Sequence, residues 1–269
     1  MKYDPIKRLL GSFFNKAPWL RILFYRLLDL LLLRSWHIRR QLKAWYASTS
    51  AEAPHVLDAG FGFGQYSYFL AKLGNNISLK GLDVKEEQVQ DCNRFFRQIG
   101  ISNAFFFEAD LVQWSEPGTF DLILCVDVME HILEDQTVLN NFCISLKNGG
   151  MLMVSTPSDQ GGSDVHDHGD ASFIEEHVRD GYSMEDMKMK LLQAGFSKIN
   201  MHYSYGRAGS LSWRLSMKYP IQMLNLSKLL FILLPFYYLL VFPICLMLNK
   251  RDVTHPNSAG TGLIVSALK

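Results

Sequence analysis

The 269-residue chain carries 27 Lys and Arg against 26 Asp and Glu, with 48% apolar residues. That length and apolar share can bury one large α/β core plus an appendage, and the dispersed, near-neutral charge excludes the basic footprint of a nucleic-acid binder. Four cysteines (Cys92, Cys125, Cys143 and Cys245) include no Cys-x-x-Cys pair, which disfavours a zinc site or disulfide framework and fits reduced thiols in a cytosol.

Residues 1–50 form an N-terminal helical region. Asp4, Arg21, Arg26 and Asp29 interrupt every apolar stretch, so no secretory signal is expected. Residues 19–33 have helical periodicity. Leu20, Leu23, Phe24, Leu27, Leu28, Leu30 and Leu31 share one face, and Arg21, Tyr25, Arg26 and Asp29 the other. Two readings stay open: a helix packed on the core, or an interfacial helix lying on a membrane.

The next stretch organises the chain. His55-Val56-Leu57 has the apolar character of a buried parallel strand, Asp58 closes it, and Gly60, Gly62 and Gly64 alternate before a helix over about 65–74. Alternating glycines allow a sharp turn with no Cβ between backbone and ligand, as a nucleoside-binding first turn requires. A dinucleotide fingerprint needs a third glycine at 65 or 67, where Gln65 and Ser67 stand, so a nicotinamide-dependent oxidoreductase is disfavoured.

Strands then alternate with helices. Strands are predicted at 55–59, 77–83, 104–109, 119–126 and 150–156, with helices at about 65–74, 85–99 and 131–146. Alternation implies parallel pairing with right-handed crossovers, and a ligand crevice at the carboxyl ends of the strands. The second strand ends at Asp83, about 20 residues past the glycine turn and placed to accept from two ribose hydroxyls. The third ends at Ala109-Asp110-Leu111, where Asp110 can accept from an adenine amino group and Leu111 pack on the ring. Taken singly, each Asp is also a helix cap or turn residue.

The fourth strand, Phe120-Asp121-Leu122-Ile123, runs into Asp127, Glu130 and His131, and Leu146-Lys147-Asn148-Gly149-Gly150 introduces the fifth. With Asp58-x-Gly60-x-Gly62-x-Gly64, these segments resemble the class I methyltransferases that use S-adenosylmethionine, of the ubiquinone-pathway O-methyltransferase type, over roughly 55–200. The resemblance implies a Rossmann-like fold with a seven-stranded, mostly parallel sheet and an antiparallel last strand. It also implies that Asp58, Gly60, Gly62 and Gly64 cradle the methionine part of the cofactor. Asp83 with Val84 would hold the ribose side, Ala109, Asp110 and Leu111 the adenine, and the backbone at Val126 and Asp127 the sulfonium.

Methyl transfer to a hydroxyl needs its proton removed or its anion stabilised. The spacing predicts Asp127, Glu130 and His131 on one side of a first helical turn, with Glu130 and His131 as catalytic candidates. In the family this group is associated with a divalent metal, for which oxygen ligands suit Mg²⁺. Asp127 stands where the pattern has Glu, so no metal ligand is assigned. The alternative is that Glu130 caps the helix and His131 packs.

Asp164, His166, Asp167, His168, Asp170 and His177 lie in a polar loop of lid length, with no metal-ligand spacing. It precedes a helix at Ser183–Ala194 that Ser183 and Asp186 can cap. Folded over the cleft, it would make His177 a third catalytic candidate and Arg179 and Tyr182 substrate contacts.

A sixth strand is expected near 195–205 and a seventh, antiparallel, at 262–268, with a hydrophobic helical insertion between them at 208–255. Residues 229–248 contain no charge and are interrupted by Pro235 and Pro243, with Lys228, Lys250 and Arg251 flanking. That length can cross a bilayer, but both ends join one sheet. A re-entrant or in-plane hairpin is therefore expected, with a buried helical cap or homodimer interface as the alternative.

Together these features predict a cytoplasmic, membrane-associated methyltransferase of a lipophilic small molecule. The alternative is a non-catalytic, cofactor-binding membrane partner.

Overall fold

The computed structural model describes residues 17–161 and 178–269, with the backbone alone at Lys228. Strands β1 (His55–Ala59), β2 (Ser78–Asp83), β3 (Ala104–Glu108), β4 (Phe120–Val126), β5 (Leu146–Pro157), β6 (Ser197–Ser204) and β7 (Gly262–Leu268) make one sheet. Their order is β3-β2-β1-β4-β5-β7-β6. The first five are parallel, and β7 is antiparallel to both β5 and β6. The expected fold class is borne out, down to the antiparallel last strand.

Local sequence explains the layering. Central β1 and β4 are apolar on both faces because helices cover both, as parallel strands require. Edge strand β3 alternates, and Phe105 and Phe107 face outward. Two apolar clusters fill the sides of the sheet. Leu79, Phe96, Phe106 and Leu122 belong to one, and Leu57, Phe142, Leu152 and Val265 to the other.

Helices α3 (Gln65–Leu73), α4 (Glu86–Gln98), α5 (Asp135–Ser145) and α6 (Met184–Gln193) connect strands. Ser183 caps α6 by accepting from the Asp186 amide. Helix α5 begins four residues later than predicted, because only a 3₁₀ turn forms over Met129–His131.

Before the sheet, α1 (Pro18–Leu31) and α2 (Leu33–Ser48) meet at Leu32, whose extended backbone breaks the run. Helix α1 packs on the core through Tyr25, Ile22 and Phe24, and not through its leucine face. Arg21 and Tyr25 are 4% and 1% exposed, whereas Leu23 and Leu27 are 43% and 40% exposed. Arg21 and Tyr25 are inside because the turn beneath them offers the Phe63 carbonyl to bond, while Arg26 stays exposed.

Between β6 and β7 the chain makes a helical hairpin. One limb is α7 (Arg207–Trp213), a π-helical turn at Arg214–Lys218 and α8 (Tyr219–Leu226). A 3₁₀ turn at Lys228–Leu233 leads to the other limb, α9 (Leu234–Thr254). The limbs run antiparallel: Tyr237 donates to the Leu215 carbonyl, Ser212 to that of Cys245, and the Gly209 amide to Asp252. Pro235 starts α9 rather than kinking it, while Pro243 lies inside. Buried Asp252 ties the base, accepting from the Gly206 amide at 2.9 Å and bonding His37 of α2 at 2.9 Å.

Candidate active site

Five consecutive neighbours in the sheet end on one edge, and the chemistry gathers there. β1 leads into a turn where Gly60, Gly62 and Gly64 adopt φ of +75°, +52° and +74°, a region open to glycine and costly for other residues. The Gly60 amide donates to the Leu82 carbonyl at 2.7 Å, stitching the turn to β2. A Cβ on Gly60 would strike Val128 at 2.2 Å and one on Gly64 the Cys92 sulfur at 2.9 Å, while one on Gly62 would meet nothing within 4 Å. The turn is therefore packed below and open at Gly62.

Asp83 stands beside this opening. Its Oδ2 accepts from the Gly62 amide at 3.0 Å and its Oδ1 from that of Lys85 at 3.0 Å. Each carboxylate oxygen keeps a lone pair for a further donor. The neighbouring Val84 is 61% exposed, an apolar side chain free to cover a ring. The Ala109 amide bonds the Asp83 carbonyl, which brings the β3 end alongside. Exposed Asp110 accepts from the Val112 amide, leaving its other oxygen available. Leu111 departs from expectation: it is 4% exposed and packed in the core, so its side chain is closed to a ligand.

Asp58 is also turned inward. It is 2% exposed and accepts from the Ser67 hydroxyl at 2.5 Å. Burial, opposed by Ser67 and reinforced by the charge of Asp83, raises its pKa to about 7. Through Ser67 it ties the end of β1 to the first turn of α3, just past the glycines.

The loop after β4 is not the predicted helical turn. Asp127 has φ +53°, and its amide donates to the Ser155 carbonyl at 2.8 Å. Glu130 is 1% exposed and accepts from the Thr156 hydroxyl at 3.1 Å rather than capping helix amides. Burial raises its pKa, against its own amide and the charges of His131 and Arg34. His131 is exposed at the end of the 3₁₀ turn. Thus Asp127, Glu130 and His131 share a short loop but not one face: one pairs outward, one is buried, one is open.

Sequence reasoning missed Arg34. It crosses from α2 to form an ion pair with Asp127, and its charge also acts on Tyr66 and Tyr205, whose burial raises their pKa values. A guanidinium there can meet an anionic group entering over the turn. No local pattern marks it, since its partner lies far along the chain.

His177 falls outside the described residues, as do Asp164, His166, Asp167, His168 and Asp170. Arg179 and Tyr182 are described and are engaged internally. Arg179 pairs with Asp135 and donates to the Ile132 carbonyl at 2.6 Å; Tyr182, 1% exposed, donates to Asp135 at 2.8 Å. They fasten the end of the loop instead of facing a cleft. Among the described residues, no cluster of three His, Cys, Asp or Glu could hold a metal ion.

The family described as "methyltransferase domain" matches residues 51–204, more than half of the chain. The chain belongs to that family. Similar curated proteins include the ubiquinone biosynthesis O-methyltransferases of Colwellia psychrerythraea, 29% identical over 123 residues (45% of this chain, 49% of that one), and Xanthomonas euvesicatoria, 31% identical over 125 residues (45% and 51%). The chain spans about half the length of the curated relatives it matches.

Solved structures share the fold. Haemonchus contortus phosphoethanolamine N-methyltransferase 2, in complex with S-adenosyl-L-methionine, aligns with TM-score 0.60 at 14% identity, covering 86% of this chain and 52% of that one. The [4+2]-cyclase SpnF aligns with TM-score 0.55 at 18% identity, covering 86% and 80%. A fold shared by a methyltransferase and a cyclase leaves the reaction to be argued from the site.

Proposed function

We propose that this protein is an S-adenosylmethionine-dependent methyltransferase, O-directed, acting on a lipophilic molecule held at a membrane. The observation that carries the cofactor reading is the bond between Asp83 and the Gly62 amide, which sets a partly exposed carboxylate against an open, Cβ-free turn. Bound there, S-adenosylmethionine supplies an activated methyl group on sulfur for in-line transfer.

Asp83 accepts from the ribose hydroxyls, Val84 and the Ala109 backbone flank the adenine, and Asp110 accepts from its amino group. Gly60, Gly62 and Gly64 admit the methionine portion, with Asp58 tying the end of β1 to α3 through Ser67. Arg34 exchanges its bond to Asp127 for the methionine carboxylate. The backbone at Val126 and Asp127 lines the sulfonium side. His131, open to the cleft, takes the proton from the acceptor hydroxyl, and buried Glu130 holds the loop that presents it. His177 belongs to this reading as a second proton-handling group.

The hairpin supports the membrane half. One helical segment among the described residues, Leu229–Thr254, is long and apolar enough to cross a membrane, with 6% of its most apolar window buried. Leu226, Leu239 and Leu240 are 85%, 74% and 74% exposed. Since β6 and β7 pair in one sheet, the hairpin dips into one leaflet and returns, with Lys250 and Arg251 at the headgroups. An acceptor then reaches the cleft without fully leaving lipid.

The test is methyl transfer from labelled S-adenosylmethionine to a bacterial lipid extract, with product identified by mass. Organic-soluble label lost in Asp83→Ala supports the reading. Cofactor binding by calorimetry with no transfer to any extract fraction would reduce the protein to a binding module. Absence of cofactor binding would remove both.

A further inference from the structure

Helix α1 is inside out, and its two faces touch different things. Trp19, Leu23, Leu27 and Leu30 form its outer stripe, 65%, 43%, 40% and 38% exposed. The inner face grips the glycine turn. Arg21 donates from Nη2 to the Phe63 carbonyl at 2.8 Å and from Nε to the Tyr25 hydroxyl at 2.7 Å, and Tyr25 donates to the same carbonyl. Asp29 accepts from Gln65, the first residue of α3, at 2.7 Å. Phe63 lies between Gly62 and Gly64, so α1 fixes a carbonyl within the glycine turn itself.

Charge indicates what meets the outer stripe. Residues 17–50 and 207–255 together carry twelve Lys and Arg against two acidic residues, Asp29 and Asp252, in a chain with near-equal totals. Arg26, Arg40, Lys43, Arg207, Lys250 and Arg251 are exposed. A leucine stripe led by Trp, with Arg26 on the same helix and further exposed cations on α2 and the hairpin, suits an anionic lipid interface. The stripe is linked to the hairpin through α2: Arg40 bonds the Val253 carbonyl and His37 bonds Asp252.

We infer that the α1 stripe docks on an anionic lipid surface and that docking tightens the glycine turn's hold on the cofactor. The inference rests on the cofactor and membrane readings above and adds their coupling. Lipid that immobilises α1 also fixes the Phe63 carbonyl, so the turn is ordered before the cofactor arrives. By linkage, the cofactor must strengthen lipid binding by the same factor.

The experiment measures S-adenosylmethionine affinity of the full chain alone and with vesicles of mixed phosphatidylcholine and phosphatidylglycerol, and vesicle co-sedimentation with and without S-adenosylmethionine. The expected result is a gain of about 5-fold or more in each, matching in size. The variant Leu23→Gln/Leu27→Gln should keep the solution affinity and still sediment through the hairpin, but lose the gain. Vesicle binding with unchanged cofactor affinity would overturn the coupling and leave the membrane reading intact. Failure to bind vesicles would remove both. Full coupling in the variant, or a wild-type dimer that the variant splits, would take the stripe away from lipid.

Discussion

Asp58 shows how a single side chain can be found in the sequence and still be misplaced. Its position before the glycines marks it as important, but only packing reveals that its carboxyl faces inward toward Ser67. Because its folded pKa of about 7 lies above the unfolded value near 4, its contribution to stability is present below about pH 4 and is lost as pH rises through 7. Relative to Asp58→Asn, the stability of the protein from urea midpoints should therefore fall between pH 5 and pH 8 by at most about 3 kcal/mol. His131→Ala should lower the methyl-transfer rate by roughly 100-fold while leaving S-adenosylmethionine affinity unchanged, the split expected of a proton acceptor. Asp83 and Asp110 were legible because a strand end at a fixed spacing from a glycine turn constrains where a carboxylate lies. Arg34 was not, because its pairing with Asp127 is a contact between remote segments.

At the scale of elements, the strands were readable because strands buried on both faces must be nearly continuous apolar runs. The start of α5 was not, since Glu130 is drawn under Thr156 and the chain cannot wind regularly from Asp127 to Asp135. Helix α1 left two readings open for a different reason. Periodicity reveals that a helix has two faces, but not which one the protein covers. Removing Arg21 deletes charge-assisted bonds inside that packing, so Arg21→Ala should cost about 2 kcal/mol by chemical denaturation. The hairpin base makes its own prediction. His202 sits against His37, Arg40 and Asp252; burial first, then the neighbouring His37 and Arg40, lowers its pKa to about 4. A folded pKa below the unfolded value near 6.5 means stability is lost as pH falls from 6.5 toward 4. The loss is read as a difference: the melting temperature of the protein relative to His202→Gln should fall between pH 7 and pH 5.

At the scale of the molecule, the sheet carries the candidate site and the helical hairpin carries the exposed leucines. Leu239 and Leu240 touch water in the isolated protein, so Leu239→Asp/Leu240→Asp should leave the melting temperature unchanged yet weaken vesicle co-sedimentation. An unchanged sedimentation would detach the hairpin from the membrane.

The sequence by itself determined the alternation of strands and helices, the glycine turn, the acidic strand ends and the uncharged stretch near the carboxyl end. Each is set by local composition and spacing along a few residues. Only the tertiary structure decided that Asp58 and Glu130 are buried, that Arg34 reaches Asp127 and that α1 turns its leucines outward. Burial and ion pairing depend on which distant segments arrive at the same place, and that is a property of the packed chain.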